Sequence, residues 1–180
     1  FQNRNRIRVP GGRGWSWLTI PVRLKGRSGQ PICEVAINPE TDWRRKHLEA
    51  LKTAYGRAPH FDEYWPFLRG HYEREWKLLA DFNGAMIAWM GERLGLHGNV
   101  LRSSAMGVGG SKSELLLGLC RAAGAEEYLS GISGQAYLDT GIFDAAGVRV
   151  KFQDFRHPVY RQTYDPFVPA LSALDLLFNH

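Results

Sequence analysis

The feature that most constrains the fold is an alternation of short apolar runs with amphipathic segments in the C-terminal half of the chain. The apolar runs, which are typical of strands, are residues 99–102, 127–130 and 148–152. Residues 115–123 and 134–146, which lie between them, have apolar side chains at helical spacing. Strands joined by helices of this length pair in parallel through right-handed crossovers. The sequence therefore predicts a three-layer α/β fold with a parallel βαβαβ core in this half.

The N-terminal part predicts a β-hairpin. Residues 15–22 are rich in aromatic and β-branched side chains, which favour a strand. Gly11, Gly12 and Gly14 precede them and are typical of a tight turn. We therefore expect residues 4–9, on the other side of that turn, to be the antiparallel partner.

A further short strand and a helical middle section follow the hairpin. Residues 32–37 alternate apolar and polar side chains, as a half-buried strand does. Residues 43–55, 61–68 and 76–94 have apolar side chains at helical spacing and predict three consecutive helices. A final helix is expected at residues 172–178, after a proline-rich loop.

Length and composition indicate one ordinary globular domain over residues 1–180. The chain is 44% hydrophobic and 23% charged, which argues against disorder and allows a buried core without disulfides. Cys33 and Cys120 are far apart in sequence, and we expect reduced thiols in a reducing compartment. No apolar run reaches membrane-spanning length, and the polar, basic start lacks a signal-peptide pattern. These observations predict a cytoplasmic protein without a membrane partner.

The charge limits the class of ligand. A formal net charge of +5 is compatible with an anionic small molecule such as a nucleotide or a sugar phosphate. It is not the dense basic stripe that duplex-DNA binding requires. We therefore expect a small-molecule substrate and no nucleic-acid partner, while the cofactor and the oligomeric state remain open.

Polar residues follow each of the three predicted strands, and ligands of open parallel sheets bind beyond the carboxyl ends of the strands. The glycine-rich loop before Lys112, together with a helix N-terminus, suits a phosphate. It is not a Walker motif, because Ser111 stands where that motif needs glycine. The alternatives are a capped helix with a flexible loop before it and an ordinary strand-to-helix turn. The binding candidates at these strand ends are Arg102, Ser103, Lys112, Ser130, Gly131, Ser133, Gly134 and Gln135.

Two residues after the third strand are candidates for catalysis. His157 lies three residues beyond Asp154, and a carboxylate can orient an imidazole so that the pair acts as a general base. The alternative is a structural or solvated histidine in a proline-rich loop. The spacing supplies no third or fourth ligand, so we assign no metal site.

Two candidates for ligand binding lie outside the C-terminal half. Arg4 shares one face of its predicted strand with Arg6 and Arg8, and that face could bind a phosphate-rich ligand or simply be solvated. Asn83 interrupts an apolar helical stripe, and a buried amide without partners costs about 1–3 kcal/mol. It therefore either anchors a neighbouring loop or lines a polar pocket.

Taken together, sequence blocks along the whole chain resemble the WbqC-like family of bacterial cell-surface polysaccharide biosynthesis proteins. The blocks are residues 1–8, 18–22, 58–61, 102–104, 128–131, 137–138, 152–155, 157–160 and 171–179. His60 stands where the family usually has tyrosine. The family also begins with a His-Gln-Pro segment that precedes the first residue here, so the resemblance implies an N-terminally truncated member.

The resemblance implies a transferase of O-antigen or related lipopolysaccharide biosynthesis that acts on a nucleotide-linked or phosphorylated amino sugar, with glycyl or other acyl transfer. One alternative is a nucleotidylyl transferase or an adenylate-forming enzyme. Another is a non-catalytic module that binds RNA or an anionic glycan through the arginine face and Trp15 and Trp17. The sequence leaves these alternatives open.

Overall fold

A computed structural model describes residues 1–180, which form two compact units. Unit 1 comprises residues Phe1–Gly98 and His157–His180, and unit 2 comprises Asn99–Arg156. In chain order the elements are β1 Arg4–Arg8, β2 Trp15–Thr19, α1 Trp43–Tyr55, α2 Phe61–Glu73, α3 Leu79–Arg93, α4 Lys112–Ala122, β3 Glu127–Ser130, α5 Thr140–Ala145, β4 Arg149–Phe152 and α6 Ala173–Asn179. No helix combines the length and the apolar character needed to cross a lipid bilayer.

The N-terminal hairpin of unit 1 is confirmed. Strands β1 and β2 pair antiparallel, with Arg6 opposite Trp17 and Ile7 opposite Ser16. The Val9 N–H donates to the Gly14 carbonyl at 3.0 Å and closes the turn. Gly14 has a φ of +75°, which a residue with a side chain rarely adopts, and an added Cβ would collide with the Arg8 guanidinium.

The helices of unit 1 follow the predicted periodicity. The buried side of α1 includes Trp43, Leu51 and Tyr55, which recur at the spacing of one helical face. Tyr55 stacks on Phe178 of α6 with ring centroids 4.7 Å apart, so the last helix packs on the first. The core of unit 1 is therefore an aromatic cluster between the helices and the inner face of the hairpin.

The strand predicted at residues 32–37 is wrong. Ile32–Glu34 forms a 3-10 turn after Pro31, and only isolated bridges follow, between Val22 and Ile37 and between Ala36 and Leu78. Ile32 is 62% exposed, so the apolar alternation does not mark a buried strand face here. The bridge at Leu78 also explains why α3 begins at Leu79 rather than at Trp76, since the preceding backbone is extended.

A buried arginine joins the two ends of the chain within unit 1. Arg8 is 1% exposed, and its guanidinium donates to the carbonyl groups of Val9 and Gly14 at the hairpin turn. It also donates to the carbonyl groups of Tyr164 at 3.0 Å and Pro166 at 2.9 Å. Charge-assisted hydrogen bonds of this kind are about twice as strong as neutral ones. The C-terminal segment is thereby fixed to the hairpin.

A buried carboxyl group, that of Asp175, forms a second polar cluster in the core of unit 1. Asp175 is fully buried, and its Oδ2 accepts hydrogen bonds from the Tyr160 hydroxyl at 2.8 Å and from Gln162 Nε2 at 2.9 Å. Burial raises the pKa of Asp175, and the nearby Tyr55 hydroxyl and Arg8 charge counter that rise. Asp175 therefore links Tyr160 and Gln162 to α6 within the core of unit 1.

Unit 2 contains a two-stranded parallel sheet, β3 with β4, in which Glu127 lies opposite Arg149 and Ser130 opposite Phe152. Helices α4 and α5 contribute Leu117 and Phe143 to its small core. The predicted strands at residues 127–130 and 148–152 are thus confirmed, the latter one residue shorter.

The first strand of the predicted three-stranded core is not found. Residues 99–102 form no strand, and Val100 and Leu101 are 72% and 59% exposed. A strand needs a neighbour for its backbone hydrogen bonds, and the sheet of unit 2 consists of β3 and β4 alone. The parallel part of the fold is therefore one βαβ unit, and the three-layer βαβαβ architecture is not confirmed.

Helix boundaries in unit 2 also differ from prediction. Ser111 precedes α4 but makes no side-chain capping hydrogen bond. The helix expected at residues 134–146 divides into a 3-10 turn at Ile132–Ala136 and α5, because Asp139 accepts a hydrogen bond from the Gly141 N–H and starts a new helix. Gly141 is the second residue of α5.

Gly134 should be required for the stability of unit 2. A Cβ at this position would overlap Ser130 Oγ and lie 3.4 Å from the Phe152 ring. We expect Gly134→Ala to lower the free energy of unfolding by about 1–3 kcal/mol, because overpacking a closed site forces its neighbours to shift. Urea denaturation followed by circular dichroism measures this change.

The matched control is Gly131→Ala. Gly131 has a φ of −63°, and nothing lies within 4 Å of an added Cβ. It should change stability by less than about 0.5 kcal/mol, as most surface substitutions do. Equal stability of the two variants would contradict the close packing of Gly134 against Ser130.

Candidate functional site

A cavity of about 220 Å³ lies within unit 1, between the hairpin, α1, α2, α3 and the start of α6. Its apolar lining comprises Ile7, Leu18, Ile20, Phe82, Met86, Ile87, Met90 and Leu174. Its polar lining comprises Gln2, Asn3, Arg4, Asn5, His47, Tyr72, Asn83 and Ser172. An apolar pocket with a few convergent polar groups is the usual form of a small-molecule site.

Asn83 connects α3 to the N-terminal residues at the cavity. Its Nδ2 donates to the Gln2 carbonyl at 2.9 Å. Asn3 fixes the same segment, because its Nδ2 donates to the Ile20 carbonyl at 2.9 Å and its own carbonyl accepts from the Ile20 N–H at 2.8 Å. Asn83 therefore anchors a neighbouring segment and also lines the cavity.

Arg4 also lines this cavity, at the first position of β1. Its guanidinium carbon lies 4.5 Å from the centroid of the Trp17 ring. A cation held over an indole ring keeps its N–H donors, because the ring accepts no conventional hydrogen bond from it. Arg4 and Asn83, both candidates from the sequence, are thus brought to one cavity.

His47 is a cavity residue that the sequence did not single out. It is 6% exposed, and its Nε2 lies 3.1 Å from the Thr19 carbonyl, so Nε2 carries the proton and donates. Its Nδ1 is buried without a hydrogen-bond partner. Burial lowers the pKa of His47 to about 4, so the ring is neutral at physiological pH. Its place on the apolar stripe of α1 was the available signal.

Tyr72 contributes a phenol to the same lining. It is 5% exposed, its ring packs edge-on against His47 at 5.7 Å, and burial raises the pKa of its hydroxyl. The side chains around the cavity therefore supply one cation at Arg4 and several neutral donors and acceptors. Such a set can recognise hydroxyl, amine and acidic groups of a small polar ligand.

The second predicted group of binding residues lies in unit 2, after β3. Ser130 is buried, and its Oγ donates to the Gly131 carbonyl at 3.2 Å. The Gly134 N–H donates to the same carbonyl at 2.9 Å, within the 3-10 turn. Ser133 and Gln135 are exposed. The turn therefore uses Ser130 and Gly134 in its own packing and leaves Ser133 and Gln135 on the surface.

The first predicted loop of unit 2 does not follow a strand. Ser103 begins a single 3-10 turn, Ser103–Ala105, and Arg102 precedes it at the surface. Lys112 opens α4 with a φ of +49°, an uncommon conformation for a residue with a side chain. Of the three predicted strand ends, the ends of β3 and β4 are adjacent, since Gln153 N–H donates to the Ser130 carbonyl at 2.8 Å.

The predicted catalytic pair is divided between the two units. Asp154 is an exposed residue of unit 2, and His157 begins the C-terminal segment of unit 1. His157 Nδ1 lies 2.8 Å from the Pro158 carbonyl, which can only accept, so Nδ1 carries a proton. Its ring lies near those of Tyr160 and Phe167, at 6.2 and 5.6 Å. His157 is not part of the cavity lining.

Metal-binding and thiol groups are sparse. No group of three or more His, Cys, Asp or Glu side chains is placed to hold a metal ion. Cys33 and Cys120 are both free thiols, and burial raises the pKa of Cys120, which favours its protonated form.

Comparison with known proteins identifies the family. The model of the WbqC-like protein family matches residues 1–180. The chain belongs to the WbqC-like protein family. A Mycobacterium tuberculosis relative, Uncharacterized protein Rv1507c, is 37% identical over 181 residues, which cover 99% of this chain and 77% of that protein. No solved structure matches.

This WbqC-like chain resembles its family at positions in both units. The match over residues 1–180 includes β1 with Arg4 in unit 1 and the end of β3 with Ser130 in unit 2. The name of the mycobacterial relative states no activity. The family match therefore includes the residues of the cavity and those of the unit 2 turns.

The buried histidines should make unit 1 acid-sensitive. Burial lowers the pKa of both His47 and His71 to about 4, below the value near 6.5 of an unfolded chain. The unfolded state therefore binds more protons as the pH falls, and stability present above pH 6.5 is lost towards pH 4. We expect each histidine to cost about 2 kcal/mol between pH 7.5 and pH 5.

Urea denaturation of the wild type at pH 7.5 and pH 5 measures this loss. The double variant His47→Gln, His71→Gln should lose several-fold less stability over that interval than the wild type. His97→Gln, at an exposed histidine, should keep the wild-type pH dependence. A double variant with the full wild-type loss would show that other groups cause the acid sensitivity.

Proposed function

We propose that this WbqC-like protein is a transferase of bacterial surface polysaccharide biosynthesis that acts on a nucleotide-linked or phosphorylated amino sugar. Acyl transfer, including glycyl transfer, to the amino group is the reaction we favour. The observation that carries the proposal is the cavity of unit 1, which places Arg4 and Asn83 among neutral donors and acceptors.

The size and lining of the cavity support a single sugar ring as its ligand. About 220 Å³ is smaller than the roughly 300–1,000 Å³ of pockets that hold drug-sized molecules. Asn83 and Tyr72 offer hydrogen bonds to hydroxyl and amine groups, and Arg4 can pair with an acidic group. His47, with a pKa of about 4, is a weak base at neutral pH, and we assign it hydrogen-bond acceptance.

Unit 2, taken by itself, is the proposed phosphate-binding unit. Lys112, Ser133 and Gln135 are exposed polar residues around the turns of this unit, and Arg102 adds a cation. Ligands of parallel sheets bind beyond the carboxyl ends of strands, where β3 and β4 end side by side. Ser103, Ser130, Gly131 and Gly134 complete the proposed set. The exposed Gly131 allows close backbone approach, and the buried Gly134 supports the turn.

His157 is the proposed general base. Because Nδ1 donates its proton to the Pro158 carbonyl, we assign the role of base to Nε2. It would take the proton from the attacking amine as the new bond forms to the acyl carbon, while the leaving group departs with its bonding electron pair. The Pro158 carbonyl holds the Nδ1 proton, so in this proposal that carbonyl, and not the predicted partner Asp154, orients the His157 ring.

Substrate binding should depend on Asn83. We expect Asn83→Leu to weaken binding of a nucleotide-linked amino sugar about tenfold, which corresponds to about 1.4 kcal/mol. Isothermal titration calorimetry with UDP- and GDP-linked amino sugars measures this change, and thermal unfolding checks that the fold survives loss of the contact with Gln2. Asn99→Leu, at an exposed position of unit 2, is the matched control. Unchanged affinity in Asn83→Leu would remove the cavity from the proposal.

Turnover should depend on His157. We expect His157→Ala to reduce the rate of acyl transfer by at least about a hundredfold, the usual contribution of a general base. His97→Ala, at an exposed histidine of the same unit, should retain activity. The assay follows transfer to an amino sugar by mass spectrometry, with an ATP–Mg²⁺ reaction run in parallel to detect nucleotidylyl transfer. Near-normal turnover of His157→Ala would exclude it as the base.

A further inference from the structure

Alternating arginine and tryptophan side chains form a continuous stack on the hairpin of unit 1, which we call the Arg–Trp ladder: Arg13, Trp15, Arg6, Trp17 and Arg4. The guanidinium carbon of Arg4 lies 4.5 Å from the centroid of the Trp17 ring, and that of Arg6 lies 5.9 Å from the same ring. Arg6 also lies 5.2 Å from Trp15, which Arg13 approaches to 4.0 Å. The two indole rings meet edge-on at 5.4 Å.

The strand register explains how the ladder forms. Side chains alternate between the two faces of a strand, so Arg4 and Arg6 share a face, and Arg6 lies directly opposite Trp17. Ile7 and Leu18 project to the other face and line the cavity. The hairpin thus carries the Arg–Trp ladder on one face and a wall of the cavity on the other, and Arg4, the first residue of β1, lies at the edge of the cavity.

The positive charge of the ladder is not neutralised within the protein. No carboxylate forms an ion pair with Arg4, Arg6 or Arg13, whereas Arg69 pairs with Glu73 at 2.8 Å on α2. Stacking on an indole ring orients a guanidinium but leaves its charge and most of its N–H donors available. Three uncompensated arginines on one hairpin, in a chain of net charge +5, therefore form a surface with affinity for anions.

We propose that the Arg–Trp ladder binds an acidic saccharide chain, with carboxylate or phosphate groups of successive sugars on Arg4, Arg6 and Arg13. Guanidinium groups recognise such oxyanions by paired, charge-assisted hydrogen bonds. Trp17 is 38% exposed, so part of its side chain remains accessible to a ligand.

The covered ring faces argue against nucleic acid as the ligand. Single strands gain about 1–3 kcal/mol for each base that stacks on an aromatic side chain. Guanidinium groups already lie over Trp15 and Trp17, so less ring surface is open for a base to stack on. A ligand that needs oxyanion contacts rather than open rings fits the surface better.

Binding of a glycan to the Arg–Trp ladder does not require catalysis in the cavity. An acidic glycan could bind the ladder whether or not the protein transfers a group, because Arg6 and Arg13 do not line the cavity. Failure of the proposed transferase activity and failure of ladder binding therefore give different results. Arg6 and Arg13 are accordingly the residues to substitute.

Fluorescence anisotropy with labelled oligogalacturonate and phosphomannan oligosaccharides tests the proposal on the intact chain. We expect binding to at least one acidic probe, weakened about tenfold or more by Arg6→Gln and by Arg13→Gln. Each substitution should also lower the slope of log Kd against log salt concentration by about one, since one ionic contact is lost. Arg6→Lys, which keeps the charge but loses the planar group, should bind with intermediate affinity.

Arg57→Gln is the matched control, because it removes the same charge from an exposed position of unit 1 outside the ladder. It should bind as the wild type does. Arg13 lies in the turn, so its variant reports on binding even if Arg6→Gln disturbs the hairpin. Equal weakening by Arg57→Gln, no binding of either acidic probe, or binding only to oligodeoxythymidine or phosphatidylglycerol vesicles would overturn the proposal.

Discussion

The structure of unit 1 depends on the burial of one guanidinium. Arg8 lies at the end of β1, and its donors reach carbonyl groups of the hairpin turn and of Tyr164 and Pro166, more than 150 positions later in the chain. An unpaired buried charge costs several kcal/mol, so these carbonyls must stay in place around it. Gly14 meets the same requirement, because any side chain there would occupy the space of the guanidinium. A polar contact therefore closes a core that is otherwise aromatic.

The position of the C-terminal segment follows from this contact and determines the cavity. With the chain held at Tyr164 and Pro166, the Ser172 N–H donates to the Arg6 carbonyl at 2.8 Å, and α6 starts beside β1. Ser172 caps that helix, since its Oγ accepts from the Leu174 N–H at 3.3 Å. Ser172 and Leu174 both line the cavity. The closure around Arg8 thus supplies one wall of the candidate site, although Arg8 itself does not line it.

The spacing of apolar residues predicted those helices and strands that have one buried face. The hairpin, α1 to α3 and the strands of unit 2 were found because their own spacing carries the signal. The run at residues 99–102 failed because pairing is a property of a neighbour and cannot be seen within four residues. Arg4 became a candidate because it shares a strand face with Arg6 and Arg8, and Asn83 because it interrupts an apolar helical stripe. His47 was assigned to an apolar stripe, and nothing in the spacing distinguishes a histidine that lines a cavity from one buried in a core.

The hydrogen bond between the Arg8 guanidinium and the Gly14 carbonyl supports both proposed binding surfaces, the cavity and the Arg–Trp ladder. Side chains alternate strictly along β1, so a slip of one residue in the hairpin would exchange the Arg6 face with the Ile7 face. The turn that prevents the slip ends at Gly14, where the Arg8 guanidinium binds the carbonyl. The cavity needs Ile7 inside and the Arg–Trp ladder needs Arg6 outside, so both require the same register. Two chemically opposite surfaces can therefore share a ribbon of two strands because a buried charge fixes how the strands pair.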